Sequence, residues 1–431
     1  MFKAGFARLD ITPPFGTPLA GYFHERTTKG VLDPLELNAL ALSDGESTAV
    51  IIACDIIGIR MNVADMIRSR ISQKTGLPTP HIFLTALHQH TTFRLMRDPA
   101  VGNATDPVYL ETLYRKFEDI ARLAIDDLSD ATAETAEAQT AVQLSFVRRY
   151  RMKEGPVATN PKRLDPNIIG PASDPDNTVR LVRFRRTDKK DIALVNFSTH
   201  PDVIGGERVS ADWPGFTRRF VEGDNSNVSC IVINGAQGDV NHINFQVAKQ
   251  WDDRYAHSRF MGRTIADTVK EIWDKATPKA DGKVQGLTTV IYSKTNTEGE
   301  EKYAECRAFL DAEKAGTLGY KPHITELAFA SRIVKLRTET IYRPVPISVI
   351  GFGDIALVGF GGEPFTVYAE NARNAAPNKF VIAACCTNGA ESYLPSAKAF
   401  SEGGYESSGS FYTPAIEQEC SNAAKALLDQ L

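Results

Sequence analysis

Short apolar runs rich in β-branched residues alternate along this chain with longer stretches whose apolar residues return every third or fourth position. The first pattern fits strands and the second fits helices packed by one face, which commits the sequence to an α/β fold. Strands are expected at 35–42, 49–57, 82–87, 142–147, 179–183, 192–198, 228–233, 284–291, 345–352, 355–360 and 380–385. Helices are expected at 63–74, 108–128, 214–222, 253–276, 300–314, 365–374 and 413–428. Asp44-Gly45 and Gly353-Asp354 are turn signals that suit hairpins, whereas strands separated by a long helix can pair in parallel. The expected architecture is a set of mixed β-sheets covered by helices. No Pro/Gly/Ser-rich linker, low-complexity tract or repeat divides the 431 residues, so a single large domain over 1–431 is expected.

Composition narrows the function. A hydrophobic share of 42% with 24% charged residues supports a large core and excludes disorder. The net charge of −4 is small, and the basic clusters Arg148, Arg149, Arg151 and Arg183, Arg185, Arg186 are short, so no nucleic-acid partner is expected. No run approaches the roughly 20 apolar residues of a membrane span, so no integral membrane segment is expected. The six cysteines show no CxxC pair and read as buried thiols. The compartment stays open.

The residues just beyond the strands suggest the chemistry. His88 and His90 stand directly after the run Ile82-Phe-Leu-Thr-Ala-Leu87, and His200 after Val195-Asn-Phe-Ser-Thr199. Glu363 follows Ile355–Phe360 through two glycines, and Tyr393 lies beyond Phe380-Val-Ile-Ala-Ala-Cys-Cys386. Strand ends are where α/β folds assemble sites. Converged, two imidazoles, a carboxylate and a phenol oxygen suit one Zn²⁺ with a position left for water. The residues alone also allow structural histidines, a Glu363 that serves the N-terminus of the following helix, and a buried Tyr393.

Separated segments, in one order, resemble the neutral/alkaline ceramidase family over nearly the whole chain. Gly5-Phe-Ala-Arg-Leu-Asp-Ile-Thr-Pro-Pro14 with Gly21-Tyr22 is similar to that family's opening. Leu84-Thr-Ala-Leu-His88-Gln-His90 resembles its Ser-Ala-Thr-His-Thr-His segment, and Asn196-Phe-Ser-Thr-His200 with Ser210-Ala-Asp-Trp-Pro-Gly215 resembles its second histidine segment. Gly361-Gly-Glu363-Pro-Phe365 resembles its Pro-Gly-Glu-Phe element, and Tyr393-Leu-Pro-Ser with Gly403-Gly-Tyr405-Glu resembles its tyrosine segment. The resemblance implies His88, His200, Glu363 and Tyr393 as zinc ligands, with His90 facing the substrate carbonyl and Tyr405 steadying the oxyanion. Phe146-Val-Arg148-Arg149-Tyr150 is similar to an Asn-Arg segment whose arginine hydrogen-bonds the reacting group, a role that falls to Arg148, with its neighbour Arg149 as the alternative. Asp239 is the first candidate for orienting a ligand or the water, the alternative being a turn aspartate; Asp212 carries the same ambiguity.

The departures bear on substrate. The family's Gly-Asp-x-Ser-Pro-Asn loop stands here as Gly238-Asp239-Val240-Asn241-His242-Ile243, with no hydroxyl at Asn241, and no counterpart of the family's extra C-terminal β-domain is expected within 1–431. His242 is either a new acid/base group or a ring packed on Trp251 or Phe245. The implied activity is hydrolysis of an amide (N-acyl) bond of a small-molecule substrate by metal-activated water. A metal-dependent hydrolase of a polar or carbohydrate-derived compound, or a non-catalytic metal-binding descendant, are the rivals.

Overall fold

The computed structural model describes residues 1–98, 101–102, 105–279, 282–336 and 341–431. We number the strands of its two large sheets. The first contains β1 (Lys3–Asp10), β2 (Glu36–Ser43), β3 (Thr48–Cys54), β4 (Ile82–Ala86), β5 (Ser129–Gln139), β6 (Thr178–Arg186), β7 (Asp191–Phe197) and β8 (Val228–Asn234), in the order β8-β7-β6-β5-β1-β2-β3-β4. The second runs β9 (Val284–Lys294), β10 (Tyr342–Phe352), β11 (Ile355–Phe360) and β12 (Phe380–Ala384). Both turn signals close antiparallel pairs: Ser43 faces Thr48, and Phe352 faces Ile355 across Gly353, whose φ of 56° lies in the left-handed region. Where a helix intervenes, the strands pair in parallel: β3 with β4, β7 with β8 and β11 with β12.

The two sheets face each other. Leu42, Ile51, Val182, Leu194 and Ile231 share one buried cluster with Ile350, Phe352, Leu357 and Ile382. The rings of Phe2, Phe184 and Phe352 bridge the layers with centroids 5.8–6.2 Å apart. Helices cover the outer faces, where apolar stripes meet the sheets. α1 (Met61–Thr75) and α2 (Pro107–Asp126) cover one half of the first sheet, and α3 (Asp212–Asp224) and α4 (Arg254–Ile272) the other. α5 (Tyr303–Ala315) and α6 (Ile324–Leu336) pack on each other with Phe411. α7 (Thr366–Ala375) and α10 (Ile416–Leu428) back the second sheet, and the short α8 (Ala397–Glu402) and α9 (Tyr405–Gly409) precede α10.

Several elements, among them α6, α8 and α9, were not expected, and two further differences have a clear physical cause. Residues 142–147 yield only a two-residue strand at Phe146–Val147, paired with Val240–Asn241. The preceding amides of Leu144 and Ser145 are taken by the Asn177 side chain at 2.9 and 2.8 Å, which removes them from any ladder. Conversely, Ser129–Gln139 is rich in Ala, Thr and Glu yet forms β5, because it is held between β6 and β1 in antiparallel register. Position in the sheet overrides its weak strand propensity.

The two layers are tied together near the strand ends. Asn196 Nδ2 donates to the carbonyls of Ile233 at 3.0 Å and Ala383 at 3.1 Å. Thr85 Oγ1 donates to the Cys385 carbonyl at 2.8 Å, and Leu84 N donates to Asn388 Oδ1 at 3.0 Å. The chain after β12 therefore crosses the end of β4, and residues beyond β4, β7, β11 and β12 are brought to one place.

Candidate metal centre and active site

His88 leaves β4 with a φ of 76°, a conformation most side chains avoid and one that recurs at functional sites. Its amide donates to the Ile56 carbonyl at 2.9 Å and its Nδ1 contacts the Ile57 carbonyl at 2.6 Å. A carbonyl only accepts, so Nδ1 carries the proton and Nε2 presents a lone pair. His200 is fixed the same way, with Nδ1 at 2.9 Å from the Gln237 carbonyl. Both Nε2 atoms point at one oxygen: Glu363 Oε2 lies 3.1 Å from that of His88 and 3.3 Å from that of His200. His200 Nε2 and Glu363 Oε2 are buried without any hydrogen-bond donor among the described residues.

Three acceptor lone pairs converging in a buried space repel one another unless a cation or a proton joins them. The electrostatics say the same. Burial alone would push His88 down, but the Glu363 carboxylate outweighs it and raises the imidazole well above its ordinary pKa. Burial would raise Glu363, yet His88, followed by His200, holds it well below the carboxylate range. Burial and then Arg148 push His200 down to about 3. The site therefore prefers one positive charge beside Glu363, and a divalent cation meets that demand while leaving both imidazoles neutral.

His90 completes a cluster in which the ligand atoms of His88, His90 and His200 all lie within 4.8 Å of one another. Its ring stands edge-on to His88 at 5.1 Å and to His200 at 5.5 Å, with Asp202 Oδ1 at 3.7 Å from Nδ1. Burial, then His88, keeps it well below the usual imidazole pKa, hence neutral. Gly21 is packed against it: at φ 102°, a Cβ there would come within 2.9 Å of the His90 Cα, Cβ and Cγ.

Across from the histidines, Glu363 and Tyr393 are register partners in a short parallel bridge. Tyr393 and Tyr405 meet with ring centroids 5.4 Å apart, and the Arg148 guanidinium lies 5.2 Å from the first ring and 5.7 Å from the second. Arg148 is held by Glu406 Oε1 at 2.8 Å from Nε and by the Gly238 carbonyl at 2.6 Å from a terminal nitrogen. Burial lifts Tyr405 to about 12 and Tyr393 well above its ordinary value, so both are neutral phenols at working pH. A cavity of about 280 Å³ opens onto His88, His90, Glu363, Tyr393 and Tyr405.

No family model and no curated protein matches this sequence. Among solved structures it matches neutral ceramidase from Pseudomonas aeruginosa, with a TM-score of 0.73 over 100% of this chain and 75% of that one, at 15% identity. It matches a structure described as ceramidase complexed with C2 at the same TM-score and identity, over 100% of this chain and 76% of that one. The chain has the neutral ceramidase fold. Within that ceramidase fold, His88, His90, His200, Glu363, Tyr393, Arg148 and Tyr405 are brought together, as the motif order leads one to expect.

Asp239 is not brought in through its side chain. Its carboxylate accepts from the Thr366 amide at 2.8 Å, the Thr366 hydroxyl at 3.0 Å and Ser173 at 2.8 Å. It caps the start of α7, so the orienting role expected of it is corrected: the loop serves the site through the carbonyls of Gln237 and Gly238. Asp212 likewise accepts from the amides of Val203 and Ile204 at 2.9 and 3.0 Å, shaping the turn after His200. Arg149, the alternative to Arg148, faces away: it pairs with Glu406 Oε2 at 3.0 Å and lies 5.5 Å from the Phe365 ring. Asn241 is spent on Asn160 and the Ile243 amide, both at 2.9 Å. His242 packs edge-on to His257, which stacks on Trp251. Asp202 and Glu406 were not expected at the site, although each adjoins an expected residue, two positions after His200 and one after Tyr405.

Proposed function

We propose that this chain, acting over 1–431 as one catalytic unit, is a metal-dependent hydrolase that cleaves an amide (N-acyl) bond in a short, polar substrate. The observation that carries the reading is the convergence of His88 Nε2, His200 Nε2 and Glu363 Oε2 beside a cavity, with each histidine's Nδ1 turned to a backbone carbonyl. These donors fit a zinc-like ion, with Tyr393 as a fourth, weaker ligand because a neutral phenol is a poor donor. Bound there, such an ion supplies Lewis acidity to an acyl carbonyl and lowers the pKa of water.

The chain's own groups do the rest. Ile57 and Gln237 fix the tautomers of the two histidines through their carbonyls, so both lone pairs face inward. Arg148 and the Tyr405 hydroxyl, with neutral His90, form the donor side that meets a developing oxyanion. Glu406 orients Arg148 and keeps it charged. Asn241 offers no alkoxide, which favours water as the nucleophile.

The cavity favours a polar substrate over a long acyl chain. At about 280 Å³ it lies near the low end of the roughly 300–1,000 Å³ of small-molecule sites, and Arg60, Arg94, Arg97, Asp98 and Lys335 are in its lining. The test is turnover of small N-acyl substrates and of long-chain ceramide by the metal-loaded protein, before and after chelation. We expect chelator-sensitive cleavage of the small substrates and little of ceramide. Chelator-resistant turnover would exclude the metal reading; stoichiometric metal without turnover on any acyl or glycosidic substrate would leave a metal-binding descendant.

A further inference from the structure

The lining of the cavity also holds cations that the hydrolytic chemistry does not use. Arg60, Arg94, Arg97 and Lys335 line it, against the carboxylates of Asp98 and Glu363. Glu363 is committed to the histidines. Asp98 pairs with Lys335 at 2.8 Å, and Glu25, the other carboxylate acting on Arg94, is held by Lys314 at 3.2 Å.

Arg94 is the unusual member. It is only 8% exposed, and its backbone is fixed by the Pro18 carbonyl at 3.1 Å and the Thr105 amide at 2.8 Å. One terminal nitrogen donates to the Leu19 carbonyl at 2.9 Å. Nε and the other terminal nitrogen are buried with no hydrogen-bond partner among the described residues, where no carboxylate lies within ion-pair distance. A buried guanidinium with idle donors is costly unless an anion reaches it, and its planar fork suits a carboxylate or phosphate. Arg97 and Arg60, both exposed, extend the positive wall toward solvent.

We infer that the substrate carries an oxyanion at the end remote from the scissile bond, and that Arg94 receives it. The inference rests on the hydrolase reading, because it assigns the second end of a molecule whose first end reacts beside Glu363. Leu95, Met96 and Val101 supply a short apolar stretch in the same cavity. The substrate class is thus a small N-acylated acid rather than a neutral lipid.

The experiment compares three N-acetyl compounds of matched size, ending in a carboxylate, a phosphate monoester or a carboxamide, as substrates of the metal-loaded wild-type protein. At least one anionic compound should exceed the carboxamide in kcat/KM by about tenfold or more, the range of a charge-assisted hydrogen bond, and the better anion names the source. Equal cleavage of all three would overturn the inference and leave the hydrolase reading standing. If none is cleaved the hydrolase reading fails, and calorimetry on the same protein still judges the subsite: the anions should bind about tenfold or more tighter than the carboxamide. Equal or absent binding of all three overturns it. Arg94→Gln should collapse the ratio of anion to carboxamide to near one, and Arg94→Lys should keep part of it; an unchanged ratio in Arg94→Gln would assign the preference elsewhere.

Discussion

The segments after β4 and after β8 reach the same site by opposite means. Leu87–Arg94 contributes residues that line the cavity, His88, His90 and Arg94. Gln237–Asn241 contributes backbone: the carbonyls of Gln237 and Gly238 hold His200 and Arg148, while the Asp239 and Asn241 side chains turn outward to Thr366, Ser173 and Asn160. The difference is that the first segment does chemistry and the second sets geometry. Changes in the second therefore act through where its backbone lies, and Gly238 is held to glycine because a Cβ there would run into the Glu363 carbonyl oxygen.

Mutations can break or sharpen this contrast. The largest effect belongs to His200→Ala, which deletes one of the two imidazole donors; metal analysis and assay together should show loss of the ion and of activity. Next is Glu406→Gln. Burial would raise this carboxyl, but Arg148 and then Arg149 outweigh burial and hold it low, so neutralising it strands two buried guanidiniums. Denaturant unfolding should show a loss of about 3–5 kcal/mol; a loss near zero would mean the arginines find other partners.

Tyr405→Phe should lower kcat roughly a hundredfold with metal content unchanged, as removal of one oxyanion donor does. An unaltered rate removes Tyr405 from the donor side. The smallest effect is that of Asp239→Asn, which should cost about 1–2 kcal/mol of stability through the α7 cap while the metal stays bound. Metal loss in that variant would restore Asp239 to an orienting role and erase the contrast between the two segments.

The contrast also explains what was legible in the sequence. His88, His200 and Glu363 stand just beyond strands, but periodicity alone left structural roles open for them, and it was the resemblance of their segments to ceramidase motifs that marked them as ligands. Gly21 with Tyr22 was visible as a motif, and the structure supplies the reason in the close packing against His90. The roles of Gln237 and Gly238 were not legible, since a carbonyl is common to every residue and only the fold decides where it points. Asp239 misled for the matching reason: its residue type suggests chemistry, but its direction is fixed by the N-terminus of α7. Sequence named Arg148 over Arg149 without a physical reason for the choice, and their opposite directions follow from adjoining positions around the short Arg149–Met152 strand. β5 was hidden by its Ala and Glu content, which only its place between β6 and β1 overrides.

The central claim is that a cation sits where His88 Nε2, His200 Nε2 and Glu363 Oε2 meet. Anomalous scattering from crystals of the purified protein, recorded on either side of the zinc absorption edge, tests it directly. The account predicts one strong difference peak per chain, bonded to all three atoms at about 2.0–2.2 Å. A metal-replete crystal with no peak there, or with His88 and Glu363 joined by a proton alone, would contradict it.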